Sequence, residues 1–175
     1  MEFQILPLEG ISVNGSLLSF GMSRTQAETL LGVGERFGSR CYYCGGELAI
    51  DFDVDDCVSF IEFLGGVDGQ LQPMIDGVSV FSAEADAVEA LLRQKNGDGG
   101  ESFEQGYSVR FHAISVGVYR EITPDDVREM LEEMQANGIP VEQNEDLLAD
   151  QRRASHWAIV LNGHLWKDRD CADTV

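Results

Sequence analysis

The chain has 175 residues, of which 43% are hydrophobic and 25% charged, and its formal net charge is −19. This length allows one domain with a substantial core, and the balance of apolar and charged residues excludes wholesale disorder. The acidic residues are spread along the whole chain, so we predict that the folded body itself is negative. Such a body repels nucleic acid and anionic membranes and attracts basic partners.

The chain shows neither a targeting signal nor a disulfide framework. Its first residues, MEFQILPLEGIS, lack the basic start and the long apolar stretch of a signal peptide. No run approaches the roughly 18 to 20 apolar residues that cross a bilayer. Its four cysteines are too few for a disulfide scaffold of this size. We therefore expect a reducing, cytoplasmic location.

The first residues read as short strands or an extended segment. Apolar runs cover residues 2–8 and 10–20, and Asn14-Gly15 is a hairpin turn signal between apolar stretches. Residues 33–47 hold four glycines and little periodicity, so we predict a loop or a weak strand there.

A helical pattern occurs twice before residue 121. In the first copy, Ser23 fits the N-cap of a helix that ends at Leu31, before Gly32. In the second copy, Ser82 fits the N-cap of a helix that ends near Leu92. Each helix is followed by a glycine-rich stretch and two alternating, strand-like runs, at 48–53 and 58–63 in the first copy and at 107–112 and 114–120 in the second.

The last third of the chain breaks this pattern. Thr123 supplies a helix cap, Pro124 fits the first helical position, and two acidic residues follow where the helix dipole favours them. The buried stripe and the end of this helix are predicted at Val127, Met130, Leu131, Met134 and Gly138. A second helix is one interpretation of residues 146–153, and the runs 157–161 and 164–166 predict a closing hairpin.

Together these elements predict an α+β fold. We expect an antiparallel sheet from two tandem helix–strand–strand units, with the helices packed on one face, plus a C-terminal helix and hairpin. Residues 1–175 form a single domain in this interpretation. The first unit covers about residues 10–66, the second about 75–121, and the C-terminal part 122–170.

Cys41 and Cys44 have the spacing of a thiol-redox or zinc site. A redox pair opens a helix after a strand, whereas two glycines and a strand follow here. A structural zinc site needs a second pair of ligands, and only Cys57, Cys171 and scattered histidines remain. We interpret the pair as a reduced turn and leave a redox role open.

Four acidic residues, Asp51, Asp53, Asp55 and Glu62, fall at positions 1, 3, 5 and 12 of a calcium-binding loop. Position 6 is Asp56 instead of the glycine that makes the sharp turn, and the flanks alternate as strands rather than helices. We therefore predict an acidic β-hairpin, with no specific calcium or zinc site and no cofactor.

No motif in the sequence spells out a reaction. His112, His156 and His164 are far apart, and none lies near a serine or cysteine in a nucleophile motif. Phosphate-binding loops, dinucleotide-binding turns and zinc-protease motifs are missing. One alternative stays open, a small enzyme or ligand-binding protein with a pocket near the C-terminal hairpin that uses His112, His156 or Trp157.

The segment FGMSRTQAETLLG, followed by LAIDFDVDDCVSFIEF, resembles the helix–strand–strand repeat of the beta-lactamase inhibitory protein and of the SmpA/OmlA (BamE-like) outer-membrane lipoproteins. Those repeats have a Gly-Met-Ser/Thr start, a short helix that ends in Leu-Gly, and two strands. The match lies at Gly21, Met22, Ser23, Leu31 and Gly32. The resemblance implies a protein-binding scaffold. The acidic character is also similar to that of bacterial immunity proteins, which neutralise toxins that are often basic nucleases.

We therefore hypothesise a non-enzymatic immunity protein or antitoxin that covers the active or substrate site of a basic cognate toxin. Its carboxylates would complement a basic cleft or mimic a nucleic-acid backbone. The candidate contacts are an acidic hairpin, Asp51, Asp53, Asp55, Asp56 and Glu62, and an acidic helix, Asp125, Asp126, Glu129, Glu132 and Glu133. A solvated helix face remains the alternative for the second group.

Overall fold

Four helices and thirteen strands in two sheets make up the part of the chain that the computed structural model describes. That part is residues 1–97, 101–103, 106–141 and 144–163, with the backbone alone at 102 and 103. The α+β class predicted from the sequence is confirmed.

The larger sheet has eight strands in the spatial order β10-β11-β12-β13-β7-β6-β5-β4. All its described pairs are antiparallel. Its strands are β4 (Glu35–Phe37), β5 (Arg40–Tyr43), β6 (Leu48–Phe52), β7 (Val58–Phe63), β10 (Glu101–Phe103), β11 (Ser108–Phe111), β12 (Val116–Tyr119) and β13 (Ile159–Gly163).

The smaller sheet has the order β3-β2-β1-β8-β9, so the single sheet expected from the sequence is two sheets. Its strands are β1 (Phe3–Leu6), β2 (Gly10–Val13), β3 (Ser16–Ser19), β8 (Met74–Ile75) and β9 (Val78–Ser79), and β1 pairs with β8 in parallel. The physical reason is one-sided burial, because Phe3, Ile5 and Ile11 are almost fully buried on one face. The Phe3 ring packs edge-on against Phe63 at 5.5 Å, so the small sheet covers the centre of the large one.

The four helices are α1 (Arg24–Leu31), α2 (Ala85–Asn96), α3 (Pro124–Ala136) and α4 (Glu145–Ala154). The predicted caps Ser23 and Thr123 are confirmed, since each side-chain oxygen accepts a hydrogen bond from the backbone three residues on. The predicted cap Ser82 is wrong, because α2 begins after Glu84. The Ser82 hydroxyl instead bonds to the side chain of Gln72.

The two helices of the C-terminal part form a small core of their own. The stripe predicted for α3 packs there against α4, with Val127, Met130, Leu131 and Met134 from α3 and Leu147 and Ala154 from α4. The predicted second helix is present and spans α4. By contrast, α1 and α2 contribute Ala27, Leu31, Val88 and Leu92 to the main core beneath the large sheet.

Two segments of the large sheet differ in part from their sequence expectations. Residues 33–47, predicted as a loop or a weak strand, supply two short strands, β4 and β5. The first arm of the expected closing hairpin is β13, which lies between β12 and β7 instead of at the end of the fold. Val160 is apolar and buried on the inner face while Ile159 and Leu161 are apolar on the outer face, which favours a central position. The second arm, 164–166, lies outside the described residues.

Two rows of inward side chains cross the large sheet and build the core. The strand registers place Tyr43, Leu48, Phe63, Val160, Val118 and Val109 in one row, and Cys41, Ile50, Ile61, Asn162, Val116 and Phe111 in the other. Full burial of each large apolar side chain stabilises the fold by about 1.5–3 kcal/mol, so these rows dominate its stability.

Asn162 is the polar member of these rows, and it is 1% exposed. Its Nδ2 donates hydrogen bonds to the backbone oxygens of Gly10, at 2.7 Å, and Leu6, at 3.3 Å. Because both acceptors belong to the small sheet, this side chain joins the two sheets across the core.

Replacing Asn162 with alanine should lower the free energy of unfolding by about 1–3 kcal/mol, since buried carbonyl groups lose their donor. Urea unfolding of the purified chain measures this change. Gln94→Ala, at an exposed position of α2, serves as the amide-to-alanine control and should leave the midpoint nearly unchanged. Equal midpoints for both variants would show that the Asn162 contacts contribute nothing.

Candidate functional site

The side chains on the face of the large sheet opposite the core, called the outer face here, alternate with the core rows. One register row runs across all eight strands as Glu35, Tyr42, Ala49, Glu62, Leu161, Gly117, Arg110 and Glu101. A second row holds Phe37, Arg40, Asp51, Phe60 and Gly163. The predicted contacts Asp51 and Glu62 therefore share this face.

Arg40 links these two carboxylates. Its Nε lies 3.3 Å from Oδ1 of Asp51, and its Nη2 bonds to Oε2 of Glu62. The guanidinium also stacks near the Tyr42 ring, at 5.7 Å. One cation therefore faces two anions, so this group keeps a net negative charge on the outer face.

The turn between β6 and β7 carries the other predicted hairpin acids. Oδ1 of Asp53 accepts hydrogen bonds from the backbone nitrogens of Asp55, at 3.0 Å, and Cys57, at 2.9 Å. Asp56 adopts a left-handed backbone, with φ of 60°, and its carboxylate accepts from Nε of Arg24 at 2.9 Å. Asp53 and Asp56 thus hold the turn together, which leaves Asp55 as its outward carboxylate.

Arg24 is buried, which is unusual for an arginine. Besides Asp56 it donates to Sγ of Cys41 at 2.6 Å, and its guanidinium lies 4.1 Å above the Phe52 ring. Hydrogen bonds from Arg24 hold the pKa of Asp56 below its ordinary value, and Asp56 in turn raises the pKa of Arg24. This clamp fixes the turn against the first residue of α1.

The acids of α3 divide into bound and unbound groups. The Asp126 carboxylate caps the helix start at Thr123 and accepts a hydrogen bond from the Tyr107 hydroxyl at 2.8 Å. Hydrogen bonds from Thr123 lower the pKa of Asp126. Asp125 pairs with Arg128 at 2.9 Å. The remaining carboxylates are exposed and have no ion pair within the described part of the chain, namely Glu129, Glu132 and Glu133.

The predicted acids therefore do not form one site. No hydrogen bond or ion pair between described residues joins the hairpin group to the α3 group. Glu129 lies three and four positions before the other two exposed glutamates, so these three share one side of the helix. Like charges at this spacing weaken a helix by about 0.2–0.5 kcal/mol per pair.

Most described cations are tied to carboxylates of the same chain. Ion pairs engage Arg24, Arg40, Arg93, Lys95, Arg128, Arg152 and Arg153. Arg120 instead donates to the backbone of Gly106 and Ala154 and lies 5.0 Å from the Trp157 ring. The carboxylates that have no such partner therefore carry the net negative charge of the surface.

The potential metal and thiol residues are placed as follows. The flanks of the would-be calcium loop are the strands β6 and β7, as predicted. Within the described ranges, no three histidine, cysteine or acidic side chains come together as a metal cluster. Cys41, Cys44 and Cys57 are free thiols, and burial raises the pKa of Cys44 and of Cys57.

The histidines lie apart in the fold. Nε2 of His112 is 3.3 Å from Oε2 of Glu101, and Nδ1 of His156 is 2.7 Å from the backbone oxygen of Arg152. His164 lies outside the described residues. A hollow of about 310 Å³, called the C-terminal hollow, contains His156 and Trp157 together with Asp68, Glu121 and Arg153.

The sequence interpretation missed the apolar centre of the outer face. Ile159, Leu161 and Tyr119 are only half-buried there, around Gly117. They line a hollow of about 420 Å³, called the sheet hollow, with Glu62, Ser108 and Arg110 at its border. The signal was present in the run WAIVL, which is apolar at successive positions and so predicts a strand with two apolar faces.

No protein-family model, curated protein or solved structure matches this chain. Among the described residues, no helix combines the length and the apolarity that crossing a membrane requires.

Replacing Asp56 with asparagine should make the stability of the protein less dependent on pH. The pKa of Asp56 is lowered in the fold, so its charge stabilises the fold above the ordinary value of 3.8, and that contribution is lost as the pH falls through the folded-state pKa. The stability difference between the natural chain and Asp56→Asn should be largest near neutral pH and should shrink in acid. Asparagine also tolerates the left-handed backbone.

Urea unfolding over a pH series measures this difference. Asp55→Asn changes the same charge in the same turn without an ion-pair partner among the described residues, and it should lower the stability at neutral pH far less than Asp56→Asn. Parallel profiles for the two variants would contradict the Arg24 clamp.

Proposed function

We propose that the protein is a non-enzymatic immunity protein or antitoxin that binds a basic toxin and covers its active or substrate site. One observation carries this proposal: the described cations are largely neutralised within the chain, whereas many carboxylates are not. A net charge of −19 then acts almost wholly on the surroundings. Such a surface attracts a basic partner and raises its association rate.

The turn between β6 and β7 suits this role as a rigid contact. Arg24 and Asp53 fix its backbone, so little conformational entropy is lost when a partner binds it. Val54 at its end is fully exposed beside Asp55. The exposed glutamates of α3 form a second contact on this proposal. Binding there would relieve the repulsion between their like charges.

The finer architecture belongs to the same proposal. We infer one domain built from two tandem units, in which β4 to β7 follow α1 and β10 to β12 follow α2, while the C-terminal part supplies β13. The support is the strand order of the large sheet. From each edge toward the central pair β7–β13, the strands follow one another in chain order. A duplicated binding scaffold of this kind, working in the cytoplasm, fits an inhibitor of an intracellular toxin.

Co-purification with the product of the gene immediately upstream tests the function. A toxin encoded there should form a stable complex, and its affinity should fall steeply as salt rises, because ions screen the contact. Cells that make the toxin should survive when they also make this protein. A protein that neither binds that product nor protects the cells is not its immunity protein.

Charge variants locate the contact on α3. Glu129→Gln, Glu132→Gln and Glu133→Gln together should weaken the complex about tenfold or more and flatten its salt dependence. The matched control carries Glu2→Gln, Glu9→Gln and Glu145→Gln, which removes the same charge elsewhere and should change the affinity less than about twofold. Calorimetry measures both, and equal losses would assign the effect to net charge alone.

A second candidate function is a small enzyme or ligand-binding protein. The C-terminal hollow favours it, since His156, Trp157 and two carboxylates meet in a space of about 310 Å³. This candidate predicts that a polar metabolite raises the melting temperature in a thermal-shift screen and that His156→Ala removes the effect. The same variant should leave toxin protection intact if the protein is an inhibitor.

A further inference from the structure

The composition of the outer face differs from that usual for a sheet that is covered on one side only. Such sheets carry polar residues on the open side, yet the middle of this face has Ile159, Leu161, Tyr119 and Phe60 in half-buried positions. In a chain with a net charge of −19, an apolar area at the centre of its largest sheet calls for a partner.

The sheet hollow, at about 420 Å³, has room for one large side chain of a partner. Its lining comes from β7, β11, β12 and β13, so its floor is a hydrogen-bonded sheet and is rigid. Gly117 contributes no side chain, and the larger Leu161 and Arg110 stand on the neighbouring strands at the same register. Interface residues that contribute most to affinity are large side chains in such central hollows.

The charges on the Glu62 side of the hollow indicate the occupant, and Arg110 lies on the opposite side, beyond Gly117 in the register row. Glu62 stands next to Leu161 in the register row, and Arg40 is shared between Glu62 and Asp51. That group therefore has room for a further cation. Neighbouring strands lie about 4.8 Å apart, so Glu62 and Gly117, on either side of β13, are separated by roughly 10 Å. A cation beside Glu62 and a ring over Gly117 therefore belong to one short stretch of a partner.

We propose that the sheet hollow seats an aromatic side chain of a basic partner protein, with an amino or guanidinium group of that partner beside Glu62. This inference rests on the proposed function, because it takes the partner to be a basic protein. It places the central contact of the complex on β12 and β13, away from the acids of α3.

Small aromatic probes test the hollow without the toxin. The ¹⁵N-labelled full chain is titrated with tryptamine, N-acetyltryptophanamide and indole-3-acetate, which are cationic, neutral and anionic. Tryptamine should shift the amide signals of Gly117, Tyr119 and Leu161 saturably. It should bind about fivefold more tightly than indole-3-acetate, as expected for one ion pair near water.

Variants separate the ring contact from the charge contact. Leu161→Thr keeps a strand-forming residue and should weaken tryptamine at least about fivefold, as one lost apolar wall implies. Ile159→Thr serves if the first variant does not fold. Glu62→Gln should remove the preference for the cation while leaving the neutral probe unchanged. Leu17→Thr, at an exposed position of β3 in the small sheet, is the matched control and should bind as the natural chain does.

Three outcomes overturn the proposal. These are the absence of saturable shifts at the three amides, equal affinity for the anionic probe, and shifts of those amides with protein concentration alone, which assign the face to a second copy of the chain. Failure of the toxin to co-purify, with tryptamine binding intact, rejects the proposed function. The same result still supports an aromatic-binding site in the sheet hollow.

Discussion

The large sheet depends on one strand pair, β13 against β7. Strands from residues 35–52 lie on one side of that pair and strands from residues 101–119 on the other, and β13 bonds to both β7 and β12. Without it, β7 and β12 would have open edges, which attract other chains. The same strand brings Asn162 to the small sheet and Leu161 to the outer face. One pairing therefore supports the core, the joint between the sheets and the sheet hollow.

Internal ion pairs shape the surface more than they stabilise the fold. An exposed pair such as Arg128 with Asp125 contributes about 0–1 kcal/mol. What these pairs change is the field that a partner meets, since they hold the cations inside local pairs and leave the remaining carboxylates to act outward. Arg40, shared by Asp51 and Glu62, shows the effect on the outer face. One cation and two carboxylates leave a net negative charge there.

Local signals in the sequence predicted local structure well. The Asn14-Gly15 turn follows from two residues that tolerate a left-handed backbone, and both adopt it. The starts of α1 and α3 follow from Ser23 and Thr123, because a cap bonds only three residues ahead. The prediction of a cap at Ser82 was wrong because a more distant residue competes. The Ser82 hydroxyl donates its hydrogen bond to the side chain of Gln72, ten residues earlier. The short strands β4 and β5 were uncertain because the glycines that flank them cut the alternation on which a strand prediction depends to three or four residues.

By itself, the sequence determined the α+β class, the starts of α1 and α3, the strands that flank the acidic turn, and the negative charge of the body. These depend on composition and on patterns a few residues long. Only the tertiary structure decided which strands pair, where β13 lies, and which carboxylates are left without a partner. Asp56 and Asp55 are adjacent and carry the same group, yet the first is bound by Arg24, 32 residues away, and the second faces outward. Pairing at that distance is set by packing of the whole chain, which no short pattern records.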